Sequence, residues 1–435
     1  MMAVAEKVSS EKRSFLETPL FATLVVNWEL VLYATIFLLA VATRFYNLGA
    51  RVMSHDESLH ALFSYKLYNG EGYQHDPLMH GPLQFHLVAL SYLLFGDNDF
   101  AARIPAAVFG VALVMLPYAL RRWLGKIGAL ATSAGLLISP MILYYSRYIR
   151  NEAYIAFFTP LLAVSLFQFM RTRRQRWLYV GALAVSLSLS AKEVALIHGF
   201  IGVVFILAAW MWESLPPRRF RQALTVLAVL TAFVVVGAVF LTSPPPPENG
   251  HPRGGGLHGV LLMLSGLLVG VLTIAFNANR RERPVSSTLA VFADWRVAFN
   301  LLAGPVAAAT VVFFLLHTTF FTNPKGFVTG TWGAVSYWLQ QQDVARGGQP
   351  VYYYLMLMPL YEFLPFFVGS IGGLVYLFRR APSHAEEESA VTATHEPRPA
   401  KKRHGKGSQK AARVDAGGPY PSDGGTFAAY LIFWA

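Results

Sequence analysis

The residues with most chemical capacity come early, in SHDESLH at 54–60 and EGYQHDPLMHGPLQFH at 71–86. These stretches gather histidines and carboxylates without a single Lys or Arg. A carboxylate such as Asp56, with Glu57 beside it, can take the proton of an attacking hydroxyl as a general base. Two later turns add cations to acids. SRYIRNE at 146–152 supplies Arg147, Arg150 and Glu152, and AKE at 191–193 supplies Lys192 and Glu193. Arg grips phosphate oxygens in pairs, and Lys offers the same anion a point charge. Acids at all three turns and bases at two of them read as one site for chemistry at a phosphate. Asp56, Glu57 and Glu152 are its catalytic candidates; Arg147, Arg150, Lys192 and Glu193 are its binding candidates. The plainer alternative is a set of solvated helix ends with local ion pairs, Arg147 or Arg150 with Glu152 and Lys192 with Glu193.

Histidine also binds metal. His55 and His60 are five residues apart, as are His75 and His80. Neither pair has the spacing of four that puts two ligands on one helical face. Loops can still gather His55, Asp56, His75 and Asp76 around a divalent metal. Alternatively His55, His75, Asp76 and His80 hydrogen-bond sugar hydroxyls or loop carbonyls. Asp97-Asn98-Asp99 imitates a nucleotide-sugar motif but fits better as a helix cap before Phe100. Arg103 is a candidate partner for the site. Tyr353, Tyr354, Tyr361 and Glu362 are candidates for lining a substrate groove or an interfacial aromatic belt. His198, inside an apolar run, reads as a satisfied interior histidine.

These turns need elements to hold them, and composition indicates which. The chain is 54% hydrophobic and 14% charged, against about a quarter charged in soluble domains. Apolar runs predict spanning helices near 21–44, 104–120, 127–145, 153–170, 177–191, 194–212, 223–242, 257–276, 297–320 and 358–378. The run 83–95 is too short to cross and reads as a helix lying along the outer surface. With that choice the basic clusters at 7–13, 121–126, 171–176, 218–221, 280–283 and 379–380 all fall inside. Every candidate turn then falls on the outer face, within a first extracytoplasmic loop at 45–103 and the later outer turns. The net charge of +12 thus reads as membrane topology rather than nucleic-acid binding. Cys is absent, which excludes thiolate ligands and disulfides. Ala40-Val41-Ala42 imitates a signal cleavage site, but the long polar lead with Glu29 favours a retained anchor. Residues 1–20 read as a cytoplasmic tail, 21–378 as the membrane domain and 379–424 as a disordered basic cytoplasmic linker. FAAYLIFWA at the end reads as a further helix cut short.

The order HDE, HDPLMHGPLQFH, AARIPAAVFG, SRYIRNE and AKE resembles the GT-C superfamily of membrane glycosyltransferases over roughly residues 25–375. It is most similar to the branch of protein O-mannosyltransferases and the aminoarabinose transferase of lipid A, and within it to the prokaryotic flippase-activity-associated proteins. The resemblance implies an all-α polytopic bundle of about 10–11 transmembrane helices in the plasma membrane. It implies a polyprenyl-phosphate-linked sugar donor, a lipid, glycan or protein acceptor at the extracytoplasmic face, and inversion at the anomeric carbon. The proposed family base maps onto Asp56. The second-loop acid maps onto Glu152, where many relatives have Asp, and phosphate binding maps onto Arg147, Arg150 or Lys192. The rival readings are a transporter or flippase for lipid-linked saccharides and a non-catalytic partner in a glycan pathway.

Overall fold

The computed structural model describes residues 27–241, 283–340 and 353–378, with single helical positions at 268, 271, 274, 427 and 430. The chain forms two compact units, 1–353 with 421–435, and 354–420. In the second unit helix Phe363–Phe378 carries Phe363 and Phe366 packed edge-on against Phe367.

Helix α1, Trp28–Phe45, starts where Asn27 accepts the amide of Leu30. Helix α2, His55–Tyr68, starts at a capping box in which Ser54 and Glu57 satisfy each other's backbone amides. A single 3-10 turn, Pro77–Met79, leads to α3, Leu83–Phe95. Helix α4, Asp99–Met115, is capped by Asn98, so the DND sequence is a helix start as expected. The chain turns through 116–120 into α5, Arg121–Ile138, whose axis breaks at Gly125, φ 70°, a conformation that glycine adopts without strain. Helix α6, Pro140–Tyr145, precedes α7, Glu152–Thr172; α8, Arg176–Leu189, and α9, Ala195–Ser214, follow, then Pro217–Leu241 and Trp295–His317.

Five helical stretches among the described residues are long and apolar enough to cross a membrane: Trp28–Phe45, Asp99–Ile138, Glu152–Thr172, Ala195–Ser214 and Trp295–His317. The expected all-α, polytopic character is therefore borne out. The expected helix at 257–276 lies mostly outside the described residues. Helix α3 has 13 residues, too few for a hydrocarbon core of roughly 30 Å.

Both ends of α1 hold charged groups. Glu29, in the first turn of α1, pairs with Arg121 at 3.3 Å and Lys126 at 4.0 Å. At the other end of α1, buried Arg44 donates to the carbonyls of Leu136 and Leu137. With 18 residues in α1, these ends stand about 27 Å apart. Helix α7 runs from Glu152 at the site end to the basic turn at 171–176. A cluster of Ala61, Val88, Tyr92, Ala101, Ala102 and Ile149 binds α2, α3 and α4 to the 146–151 turn. It carries the candidate residues of α2 to those of α7.

Candidate active site at one end of the helices

The frame of the site is Glu57. It is fully buried, and both its oxygens are engaged. Arg103 donates from Nε to Oε1 at 3.0 Å and from Nη2 to Oε2 at 3.2 Å, while Arg51 reaches Oε2 at 2.8 Å. The backbone amides of Ser54 and Ile149 add two more donors. Arg103 is buried as completely and also donates to the carbonyl of Leu48. One carboxylate thus ties the 48–54 loop, α2, α4 and the 146–151 turn together. Glu57, expected beside Asp56 as a catalytic group, is instead buried with both oxygens taken up by Arg103, Arg51 and two backbone amides. Arg103 is its partner rather than a ligand for substrate.

Asp56, one residue earlier, faces outward. Its Oδ2 meets Nη1 of Arg150 at 3.1 Å, the Arg150 Nε lies 3.5 Å from Oε2 of Glu152, and Lys192 Nζ donates to Glu152 Oε1 at 2.8 Å. The result is an alternating run, Asp56–Arg150–Glu152–Lys192, built from three separate turns. Side-chain exposure falls along it, from 47% at Asp56 through 32% and 28% to 23% at Lys192. Such a run is open to a ligand at one end and shielded at the other. Glu193 turns away from Lys192, and its Oε2 accepts from His80 Nδ1–H at 2.8 Å. The loop carrying His80 is fixed by the amides of Gly81 and Leu83, which donate to the carbonyls of Ala191 and Ser190. A Cβ on Gly81 would collide with the Ser190 carbonyl, so only glycine admits this approach.

The remaining candidates are placed differently. His75 is buried, and its Nδ1 lies 2.9 Å from the Thr329 hydroxyl. Asp76 caps the 3-10 turn by accepting the amide of Leu78. His55 is exposed at the start of α2. A metal centre of His55, Asp56 and His75 is not supported by this placement. Asp56 faces Arg150 and His75 faces Thr329, and no group of three or more such ligands converges among the described residues. Arg147, expected at phosphate, instead donates to the carbonyls of Thr43 at 2.6 Å and Asn47 at 3.3 Å. It caps the end of α1, where carbonyls lack helical partners. Arg147→Met should therefore lower stability by about 1–3 kcal/mol, the worth of hydrogen bonds to a charged group, yet leave affinity for donor phosphate unchanged. Thermal melts beside a donor titration check both. Tyr353 heads helix Tyr353–Tyr361, and Glu362 belongs to the second unit. His198 is satisfied by Thr159 at 2.8 Å, as expected.

Sequence reasoning missed several members. Arg51 reaches Glu57 while packing over the Tyr148 ring at 5.1 Å, and Tyr148 bonds Ser54 through its hydroxyl. The amide groups of Gln84 and Asn151 are buried with no hydrogen-bond partner; no spacing in the sequence marks them. His60, one turn after Asp56, is also buried, with Nδ1 unpartnered. Burial, and then the charge of Arg150, push its pKa down to about 4. An unfolded histidine titrates near 6.5, so between these values the unfolded chain binds a proton that the folded chain refuses. The stability from His60 is complete above about pH 6.5 and is lost as pH falls toward 4, on the order of 3 kcal/mol at the acid limit. Melting temperature should fall over that window, and His60→Gln should flatten the fall.

Residues 79–241 match the family model described as dolichyl-phosphate-mannose-protein mannosyltransferase. The chain is 24% identical over 169 residues to the putative mannosyltransferase YkcB of Bacillus subtilis, covering 39% of this chain and 23% of that protein. It is 32% identical over 111 residues to the polyprenol-phosphate-mannose–protein mannosyltransferase of Mycobacterium tuberculosis, covering 24% of this chain and 21% of that one. The chain thus spans about a quarter or less of these relatives. Among solved structures, the S. cerevisiae protein O-mannosyltransferase Pmt1–Pmt2 complex bound to the sugar donor aligns at TM-score 0.39 and 16% identity, over 69% of this chain and 35% of that one. ArnT from Cupriavidus metallidurans in the apo state aligns at TM-score 0.38 and 18% identity, over 71% and 70%. The expected resemblance to protein O-mannosyltransferases is met by the family model over residues 79–241.

Proposed function

We propose that this chain transfers a sugar from a polyprenyl-phosphate donor to a hydroxyl acceptor at the extracytoplasmic face of the plasma membrane. The observation that carries the reading is the run Asp56–Arg150–Glu152–Lys192 at the ends of helices whose opposite ends are basic. Basic turns favour the cytoplasmic side, which supports an extracytoplasmic position for the run. The relatives named as mannosyltransferases support a mannose-class donor.

In this reading Asp56 takes the proton of the acceptor hydroxyl as its oxygen bonds to the anomeric carbon. The bond from that carbon to the phosphate oxygen breaks with inversion, and the electron pair leaves with the phosphate. Arg150 and Lys192 offset the charge growing there. Guanidinium has five N–H donors, so Arg150 can hold Asp56 and still meet a phosphate oxygen. Glu152 keeps both cations at one height. The membrane does the rest of the positioning, because it fixes the depth of the donor phosphate.

The test is to incubate the purified full chain with labelled polyprenyl-phosphate mannose in detergent and in sealed vesicles. Label leaving the donor for a hydroxyl acceptor or water, with no vesicle required, supports the reading. Intact donor that only crosses vesicle membranes rejects it in favour of a transporter.

A further inference from the structure

Beside the charged run lies a second, chemically distinct cavity of about 400 Å³, inside the range of roughly 300–1,000 Å³ typical of small-molecule sites. Its walls include Phe63, Tyr73, Gln74, His75, Asp76 and Thr329. They combine two aromatic rings with an amide, an imidazole, a carboxylate and a hydroxyl. Tyr73 is buried, with its ring stacked on Phe85 at 4.6 Å, and its hydroxyl has no hydrogen-bond partner. Buried polar groups are nearly always paired; this hydroxyl is an exception, covered by its neighbours. His75 is held by Thr329, the first residue of a π-helical turn at Thr329–Gly333; such turns are frequent at functional sites. The turn packs so closely that a Cβ on Gly330 would strike the ring of His317, which itself contacts His75.

The cavity is also aligned with the charged run. Asp56, His60 and Phe63 are separated by four and three residues, so they share one face of α2. Seven residues of helix put Phe63 about 10 Å beyond Asp56. His80, which bonds Glu193, follows the 3-10 turn Pro77–Met79, whose first and last residues line the cavity with His75 and Asp76.

We infer that this cavity is the acceptor site, and that the acceptor is a saccharide. The inference rests on the proposed transfer reaction. A sugar ring presents C–H faces to aromatic side chains and a rim of hydroxyls to groups that both donate and accept. The walls offer both kinds of surface. A saccharide with one ring seated against Phe63 and Tyr73 uses a further ring to carry its acceptor hydroxyl the ~10 Å along α2 to Asp56, while the donor sugar occupies the space above Arg150. Phe63, Tyr73 and Gln74 are then binding residues for the acceptor, and the turn at 329–333 closes its far wall.

The experiment is saturation-transfer NMR with p-nitrophenyl mannobioside on the full chain in nanodiscs, beside transfer kinetics to the same compound and to a threonine-rich peptide. The wild type should saturate the sugar ring protons. Phe63→Ala and Gln74→Ala should each weaken binding, and raise KM for the saccharide, by about tenfold. Gln74 is exposed, so its variant tests the site even if Phe63→Ala folds poorly. Absence of saccharide binding by the wild type, binding indifferent to both substitutions, or transfer to the peptide alone would overturn the inference. Binding is read without turnover. A chain that binds the saccharide through Phe63 and Gln74 yet transfers nothing therefore keeps the cavity and loses the transferase reading, which is how the two failures are told apart.

Discussion

Arg103→Met should destabilise the chain by roughly 3–5 kcal/mol, the cost of leaving a buried charge without its partner. The stranded charge is Glu57, which has no exposed surface and would keep only Arg51 and two backbone amides. Because Glu57 joins α2 to α4 and to the amide of Ile149, its release loosens the turns that carry Asp56 and Arg150. Activity should fall with stability. Glu57→Leu combined with Arg103→Met removes both charges and should cost less than the two single changes summed. Thermal inactivation of the purified variants measures each term. A double variant as unstable as the sum would mean that the pair acts only through packing volume.

Asp56→Asn should show the opposite pattern. Its side chain is half exposed and makes one ion pair, with Arg150. Exposed pairs are worth about 0–1 kcal/mol, so the melting temperature should barely move. Transfer should fall by about 10²–10⁴-fold, the usual contribution of a positioned base. Asp56→Glu should recover part of the loss, because it restores the carboxylate at a slightly displaced position. Near-normal turnover by Asp56→Asn would remove Asp56 from the catalytic role and leave it as a partner for Arg150.

Much of this arrangement was legible before the fold. Length and hydropathy located α1, α4, α7, α8, α9 and the helix at 295–317, since each must bury or immerse a long apolar run. The convergence of the 54–60, 146–152 and 191–193 turns followed from counting crossings. Treating 83–95 as too short to cross kept Asp56, Arg150 and Lys192 together, and the ion pairs among them agree. What was not legible is how neighbours divide the work. Asp56 and Glu57 differ by one residue, but a step of about 100° around a helix turns one toward the open side and the other into the junction with α4. Arg147 and Arg150 sit in one short turn, and only the three-dimensional path shows that the first meets carbonyls of α1. Glu57 also depends on the amide of Ile149, and main-chain donors leave no mark in side-chain spacing. The orphaned amides of Gln84 and Asn151 and the cavity beside Tyr73 arise from packing across distant segments, which periodicity along one helix does not reveal.

The most direct test of the account is leaflet-resolved transfer. The chain has no natural cysteine, so Val52→Cys, at a highly exposed position near the charged run, reports orientation through a membrane-impermeant maleimide. Labelled polyprenyl-phosphate mannose is then confined to one leaflet of oriented proteoliposomes. Turnover is expected when the donor phosphate lies in the leaflet on the Val52 side. Turnover supported equally from the leaflet on the Arg121 side, or from that leaflet alone, would contradict a site made by Asp56, Arg150, Glu152 and Lys192.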